Sequence, residues 1–199
     1  WESIAVYAGA HGIANGLDAV VEAARLLAGR GEARVRIVMA GAGAEKPRLV
    51  ARAAALRLPN LVFLPPMPKP ELAALLAGSQ IGLQCLAPVP AFAEWTAPNK
   101  PMDYLAAGLP VVASQGGALA RLLEGPPPAG IATPPGDPAA LADALAALAA
   151  DPARREAMGR AARRLAVARF DRRAQAARFV AAAEAAFARP IPSARAATT

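Results

Sequence analysis

Short apolar runs alternate with helical patterns along the whole chain. The β-type runs cover residues 4–9, 35–41, 61–65, 80–86, 109–114 and 130–133. They lack the polar alternation of a strand with one wet face, which indicates strands that are buried on both faces. The sequence therefore predicts six buried strands.

Helical patterns fill the gaps between these strands. Apolar residues recur at three- and four-residue spacing within segments 17–30, 46–57, 69–77, 100–107 and 118–124. Strands that are each followed by a helix favour a parallel sheet with helices on both faces. We therefore predict an α/β fold, a Rossmann-like parallel six-stranded sheet.

The end of the chain predicts a helical extension. Asp137 and Asp151 each precede a proline, the pattern of an N-cap with proline in the first turn. A last amphipathic helix is predicted over 172–188, and Pro190 and Pro192 then end it. We expect one domain over residues 1–189 and a disordered tail over 190–199.

Composition narrows the class of protein. No apolar run reaches the roughly 18 to 20 residues of a membrane-spanning helix, although 55% of the residues are hydrophobic. Cys85 is the single cysteine, so no intramolecular disulfide can form, which favours a reducing, cytoplasmic location. The chain begins with Trp1 in place of a methionine, and we expect a fragment of a longer protein.

The net charge of +7 comes entirely from residues 151–199, where eleven arginines stand against four acidic residues. These arginines follow helical patterns without interleaved aromatic residues, which is typical of a solvated helix face. Contact with an anionic membrane surface, at the periphery of the inner membrane, is the second interpretation. Nucleic acid is the least favoured partner, and we expect none.

Candidate chemistry lies after the strands, because open parallel sheets bind ligands at the carboxyl ends of their strands. Gly9 and Gly12 follow the first strand and allow close approach of the backbone to a ligand. A helix that begins near Asn15 offers free N–H groups to an anion such as a phosphate. His11, the only histidine, has two interpretations here, ligand contact or a structural role.

Gly41 and Gly43 follow the second strand. A dinucleotide fingerprint would carry a third glycine where Lys46 stands, and an acidic residue at the end of the next strand, so dinucleotide binding is disfavoured. After the third strand, Pro66 and Met67 could wall a flat apolar slot, although a plain turn explains them almost as well.

The longest irregular stretch, residues 87–101, follows the fourth strand and carries Glu94, Asn99 and Lys100. Long loops in compact domains are commonly functional. Lys100 is a cation at a predicted helix start, against the helix dipole, which suggests a negative ligand. Asp103, one turn on, could accept two hydroxyls of a ribose or sugar, or form a cap and a surface salt bridge.

The segments GAHGIANGLD, VMAGAGAEKPRL and PNKPMDYLAAGLPVVAS, in this order, resemble the C-terminal half of retaining GT-B glycosyltransferases of family four. The likeness spans about residues 4–188. More narrowly, the first and last segments resemble bacterial surface-polysaccharide enzymes such as N-acetyl-L-fucosamine transferases. The resemblance implies one half of a GT-B fold that binds a nucleotide-sugar donor, commonly UDP-linked, with the acceptor on an N-terminal domain absent from this chain.

The same resemblance implies a hexosyl or N-acetylhexosaminyl transferase that needs no metal or other cofactor and is inactive as a fragment. It places residues 9–12 at the donor phosphates, residues 66–68 at the base and Asp103 at the ribose. Three positions depart from the family pattern. Trp95 occupies the place of the first glutamate, with Glu94 beside it; Asn15 replaces a lysine; and Ala10 replaces a basic residue.

These departures lead to a hypothesis in which Lys100 supplies the missing phosphate charge. Lys100, Asp103 and Glu94 are then the catalytic candidates. No paired carboxylates suggest glycoside hydrolysis. Two alternatives remain open: a non-catalytic nucleotide-sugar-binding module, which the missing glutamate would permit, and a nucleotide-sugar epimerase of the same fold.

Overall fold

The computed structural model describes residues 3–96 and 98–187, with the backbone alone for 93–95. This part of the chain contains six strands and nine α-helices, and each strand is followed by at least one helix. The strands are β1 (Ser3–Ala8), β2 (Val35–Ala40), β3 (Leu61–Leu64), β4 (Ile81–Cys85), β5 (Val111–Ser114) and β6 (Gly130–Thr133). The helices are α1 (Asp18–Gly29), α2 (Lys46–Ala55), α3 (Lys69–Ala77), α4 (Pro90–Trp95), α5 (Lys100–Ala106), α6 (Gly117–Glu124), α7 (Pro138–Ala150), α8 (Pro152–Phe170) and α9 (Arg172–Phe187).

The six strands form one parallel sheet in the order β3-β2-β1-β4-β5-β6, which confirms the predicted Rossmann-like α/β class. The strand order reverses between β1 and β4, where Ala5 pairs with Ile81. At such a reversal the two neighbouring connections leave on opposite faces of the sheet and open a crevice at the carboxyl edge. The fold therefore fixes where a ligand is expected.

Helices cover both faces of the sheet. On one face α1, α2 and α7 bury leucine, valine and alanine side chains against the inward residues of β1 and β2. On the other face α3, α5, α6 and α8 enclose a second core that includes Val6, Tyr104 and Val111. Neighbouring residues of β1 point into different cores, which explains why the strand sequences are apolar throughout.

Two contacts hold α5 against the sheet. A Cβ on Gly82 would lie 2.5 Å from the Tyr104 ring, so the glycine in β4 leaves the space that the ring fills. The Tyr104 hydroxyl oxygen accepts a hydrogen bond from the Ala8 N–H at 2.8 Å. Helix α5 is therefore fixed at the carboxyl end of β1, and this places its first residue, Lys100, at the ligand edge.

The caps at the C-terminal helices are confirmed. The Asp137 carboxylate accepts from the N–H groups of Ala139 and Ala140, both at 3.0 Å, and Asp151 accepts from Arg154 N at 2.9 Å. Helix α9 ends at Phe187 in the described part of the chain, and the predicted tail over 190–199 lies outside it.

The expectation of an irregular stretch over 87–101 needs a correction, because that stretch contains α4. Val89 is extended and Pro90 occupies the first turn, a favourable start for a helix. Six residues are too few to show a helical period, so the sequence pattern does not predict this helix.

Helix α9 contacts little of the chain. None of its residues is buried, and Phe179 and Phe187 are 77% and 91% exposed. Together with Ala176, Val180 and Ala183 they form an apolar stripe at helical spacing. Within residues 3–96 and 98–187, no helix is both long and apolar enough to cross a membrane.

Candidate functional site at the carboxyl edge of the sheet

Gly9 and Lys100 meet where β1 and β4 diverge. Gly9 directly follows β1, and a Cβ at this position would lie 2.3 Å from Cε and 3.0 Å from Cδ of Lys100. The lysine side chain therefore lies across the end of the strand, in space that only a glycine leaves open. The sequence predicts both residues at this edge, and the structure brings them into contact.

The Lys100 ammonium is half-buried and held by neutral groups. Its Nζ donates to Asn15 Oδ1 at 3.0 Å and lies 5.2 Å from the centroid of the Tyr7 ring. Among the described side chains no carboxylate pairs with it. Burial lowers the pKa of Lys100 below its ordinary value. A cation with no carboxylate partner among the described side chains is suited to an anionic ligand.

The loop after β1 is fixed by its own hydrogen bonds. Ala10 O accepts from the Tyr7 hydroxyl at 2.7 Å and from Asn15 Nδ2 at 3.0 Å. A short 3-10 turn over Ile13–Asn15 ends at Gly16, whose φ of 58° is left-handed. A Cβ on Gly16 would lie 2.8 Å from Ala87 Cα, so this loop packs tightly on the segment after β4. Asn15 is thereby held in place to accept from Lys100.

A cleft of about 360 Å³ opens beside Gly9, between the ends of β1, β2 and β3. Ala8, Gly9 and Ala10 form one part of its lining, and Ala40 to Ala42 form another. Pro66, Met67 and Leu72 close the far side. A mostly apolar cleft of this size is within the range of small-molecule sites, and one of its lining residues, Gly9, contacts Lys100. Four predicted residues, Gly9, Gly41, Pro66 and Met67, thus share one cleft.

Gly41 and Gly43 also allow two loops to touch. Their φ values are 140° and 158°, and a Cβ would lie 2.0 Å from Gly9 O at Gly41 and 2.4 Å from His11 O at Gly43. The His11 N–H donates to Ala42 O at 2.8 Å, so the β1–β2 pairing continues past the ends of both strands. These glycines therefore allow the backbone after β2 to lie against the backbone after β1. Gly41 also lines the cleft.

His11 is completely buried. Its ring lies between Tyr7 and Phe63, with centroid distances of 5.7 and 6.2 Å, and neither nitrogen has a well-formed hydrogen bond within the described residues. Burial lowers the pKa of His11, as does the nearby charge of Lys46, whereas the Gly41 backbone opposes the shift. The imidazole is therefore held neutral, and ligand contact by His11 stays a prediction.

Asp103 and Asn99 face a second cavity of about 700 Å³, which Lys69 and Arg172 also line. The Asp103 carboxylate is exposed and has no ion pair or side-chain hydrogen bond among the described residues. The two cavities flank the start of α3, with Met67 and Leu72 on one side and Lys69 on the other. The sequence groups Asn99, Lys100 and Asp103, whereas in the structure Lys100 turns away toward Gly9.

Gly12 does not line the cleft. Gly12 lines a surface cavity beside Asp18 and Arg48. Glu94 belongs to α4, but its side chain lies outside the described part of the structure. The roles of Gly12 and Glu94 stay predictions.

Sequence reasoning missed two features of this edge. Lys46 Nζ donates to Gly41 O and to Leu64 O, both at 2.6 Å, and so contacts two strand ends. Gln84 and Gln115 are buried and share a hydrogen bond of 3.4 Å beneath the segment that leads into α5. A polar residue inside the apolar run IGLQC is a signal that could have indicated the second feature.

Within the described residues, no three His, Cys, Asp or Glu side chains are grouped closely enough to hold a metal ion.

A family model described as "Glycosyl transferases group 1" matches residues 2–151. No curated protein sequence matches the chain. Among solved structures, TarM of S. aureus superposes with a TM-score of 0.76 at 16% identity, covering 90% of this chain and 35% of TarM.

Two further structures share the fold. HepE of Anabaena, solved in complex with UDP, has a TM-score of 0.76 at 18% identity and covers 91% of this chain and 49% of HepE. The C-terminal domain of LpcC from Francisella tularensis has a TM-score of 0.70 at 16% identity, covering 85% of this chain and 86% of that domain. The chain therefore spans half or less of TarM and HepE, and most of the isolated LpcC domain.

Proposed function

The chain belongs to the group 1 glycosyltransferases, and from this premise we propose that it is the donor-binding domain of a retaining glycosyltransferase. The proposed reaction transfers a hexosyl or N-acetylhexosaminyl group from a nucleotide sugar, UDP-linked, to a lipopolysaccharide or exopolysaccharide acceptor. HepE, which has the same fold, was solved with UDP, and this supports the choice of nucleotide.

The contact between Lys100 and Gly9 carries the proposal. A nucleotide diphosphate gains negative charge as the glycosidic bond breaks, and a preorganised cation at the site stabilises that charge. Lys100 is already half-buried, oriented by Asn15 and without a described carboxylate partner. It therefore needs little reorganisation to meet a phosphate, and it fills the role of the basic residues that are absent at Ala10 and Asn15.

The remaining donor contacts follow from the two cavities. The cleft beside Gly9 offers apolar walls at Pro66 and Met67 for the flat faces of a base. Asp103 offers two carboxylate oxygens to the ribose hydroxyls from the neighbouring cavity. A donor bound in this way passes the start of α3 and brings its diphosphate to Lys100. No metal or other cofactor takes part in this proposal.

The proposal includes a second domain as partner. In the GT-B arrangement the acceptor binds to an N-terminal domain that faces the donor site. The 199-residue chain alone therefore binds the donor but transfers no sugar. The exposed apolar stripe of α9 supports a partner surface of this kind. The arginines of α8 and α9 favour a cytoplasmic enzyme at the periphery of the inner membrane, where lipid-linked acceptors lie.

A non-catalytic nucleotide-sugar-binding module is the second candidate. The observation that favours it is the absence of the family's first glutamate, because Trp95 stands in its place. The two candidates make the same prediction for donor binding and differ in turnover. Assay of the full-length protein separates them, since transfer that is lost in Asp103→Ala supports the enzyme.

Donor binding is tested by calorimetry. We expect the chain to bind UDP more tightly than GDP, ADP or NAD, and Lys100→Met to lose about tenfold or more in UDP affinity, the usual scale for a hydrogen bond to a charged group. Arg30→Met is the control, because it also removes one positive charge, but Arg30 follows the C-terminal end of α1 at the opposite edge of the sheet and pairs with Asp143. Equal UDP affinity in the Lys100→Met variant and the parent contradicts the proposal.

A further inference from the structure

The three lysines of the chain share one sequence context. Lys46, Lys69 and Lys100 are each followed by a proline, and they begin α2, α3 and α5. Each of these helices follows a parallel strand, so all three lysines lie at the carboxyl edge of the sheet. Only Lys100 has a place in the proposed function, which leaves the purpose of Lys46 open.

Lys46 is engaged by backbone oxygens. Its Nζ donates to Gly41 O and Leu64 O, both at 2.6 Å, which is short for hydrogen bonds from an ammonium group. Within the described residues it has no carboxylate partner. A cation in the first turn of a helix opposes the helix dipole. The two carbonyl contacts are therefore what stabilises Lys46 where it stands.

The two carbonyls lie at the ends of neighbouring strands, β2 and β3, each of which leads into one wall of the cleft. Gly41 lines the cleft on the β2 side, and Leu64 is the last residue of β3, directly before Pro65 and the wall formed by Pro66 and Met67. Gly41 N–H also donates to Leu64 O at 3.2 Å. Lys46 itself does not line the cleft, so any effect on a ligand passes through these walls.

We propose that Lys46 is a positioning residue that sets the separation of the two walls of the cleft and thereby the fit of the nucleotide base. This inference rests on the proposed function, because it assigns the base to this cleft. Without Lys46 the Gly41 and Leu64 carbonyls lose their shared cation, and the hydrogen bond from Gly41 N–H to Leu64 O is left to hold the start of the two loops together. The diphosphate end of the ligand, at Lys100, is not involved.

Binding of two probes separates this role from a general loss of structure. UDP reports on base and phosphates together, whereas inorganic pyrophosphate reports on the phosphate site alone. We expect Lys46→Met to bind UDP about tenfold more weakly than the parent and pyrophosphate within about twofold of the parent. Lys46→Arg, which keeps a cation with several donors, should stay within about threefold for UDP.

Arg48→Met is the matched control, because it removes one positive charge from the same helix at a residue that pairs with Asp18 and Glu45 away from the cleft. We expect it to bind both probes as the parent does. If Lys46→Met does not fold, Lys46→Gln takes its place in the test, because glutamine keeps one hydrogen-bond donor group on a shorter side chain. Its loss of UDP affinity should lie between those expected for Lys46→Arg and Lys46→Met.

Two results overturn the inference while leaving the proposed function intact. The first is a UDP affinity that is unchanged in Lys46→Met or, where that variant does not fold, in Lys46→Gln. The second is an equal loss of affinity for UDP and for pyrophosphate. A parent chain that binds no UDP overturns the proposed function, and this inference with it.

Discussion

Gly9→Ala isolates the contact on which the donor site depends. The new methyl group would lie 2.3 Å from Lys100 Cε, far inside van der Waals contact, so the lysine side chain must leave the end of β1. Its hydrogen bond to Asn15, now 3.0 Å, is then lost and the ammonium moves away from the proposed diphosphate position. The backbone can stay in place, because Gly9 is not among the glycines with positive φ.

The expected magnitudes differ for stability and binding. Replacing glycine by alanine at a compatible backbone stabilises a protein by about 0.4–1 kcal/mol, which offsets the lost hydrogen bond of about 1 kcal/mol. The stability of Gly9→Ala should therefore stay within about 1 kcal/mol of the parent. A hydrogen bond between an ammonium and a charged ligand contributes about 1.5–3 kcal/mol, so UDP affinity should fall roughly 10- to 150-fold.

Urea unfolding and calorimetric titration with UDP measure the two quantities. Gly29→Ala serves as the control, because a Cβ there meets nothing within 4 Å. In the double variant Gly9→Ala with Lys100→Met, the losses should not add, since both changes remove the same interaction. Additive losses, or a Gly9→Ala variant that binds UDP as tightly as the parent, would refute the reasoning.

Three further predictions follow from the site. Tyr104→Phe leaves the Ala8 N–H without its partner at 2.8 Å, and urea unfolding should show a loss of about 1–3 kcal/mol; an unchanged stability would mean that this hydrogen bond does not hold α5. The pKa of His11 is lowered in the folded chain, so the unfolded chain binds a proton more readily, and the free energy of unfolding falls as the pH drops below the ordinary histidine pKa. The melting temperature should therefore fall less between pH 7.5 and 5 in His11→Phe than in the parent. An equal fall in both proteins would contradict this prediction. Asp103→Asn should weaken binding of UDP but not of 2′,3′-dideoxy-UDP, and an equal loss for both ligands would remove Asp103 from the ribose.

The fold could be predicted because its signals are local. The six apolar runs form the six strands of the parallel sheet, although the edge strand β3 buries only Leu61. Asp137 and Asp151 cap the helices that their prolines begin. Helix α4 was missed because six residues carry no period. Helix α9 begins at the predicted residue, Arg172, since its helical pattern is long, and its predicted end at residue 188 lies outside the described residues.

The site was only partly predictable, because its contacts join distant parts of the chain. The glycine that admits the Lys100 side chain is 91 positions earlier in the sequence, which no spacing rule reveals. Gly41 and Gly43 illustrate a second difficulty. Sequence indicates that a backbone passes close to something at these positions, but it does not distinguish a ligand from the neighbouring loop that the structure shows.

A crystal structure of the chain with UDP tests the central claim most directly. We predict that the base lies between Gly41 and Pro66, and that a diphosphate oxygen lies within hydrogen-bond distance of Lys100 Nζ beside Gly9. A complex in which UDP lies elsewhere, or in which the Lys100 ammonium keeps only its contact with Asn15, would contradict it.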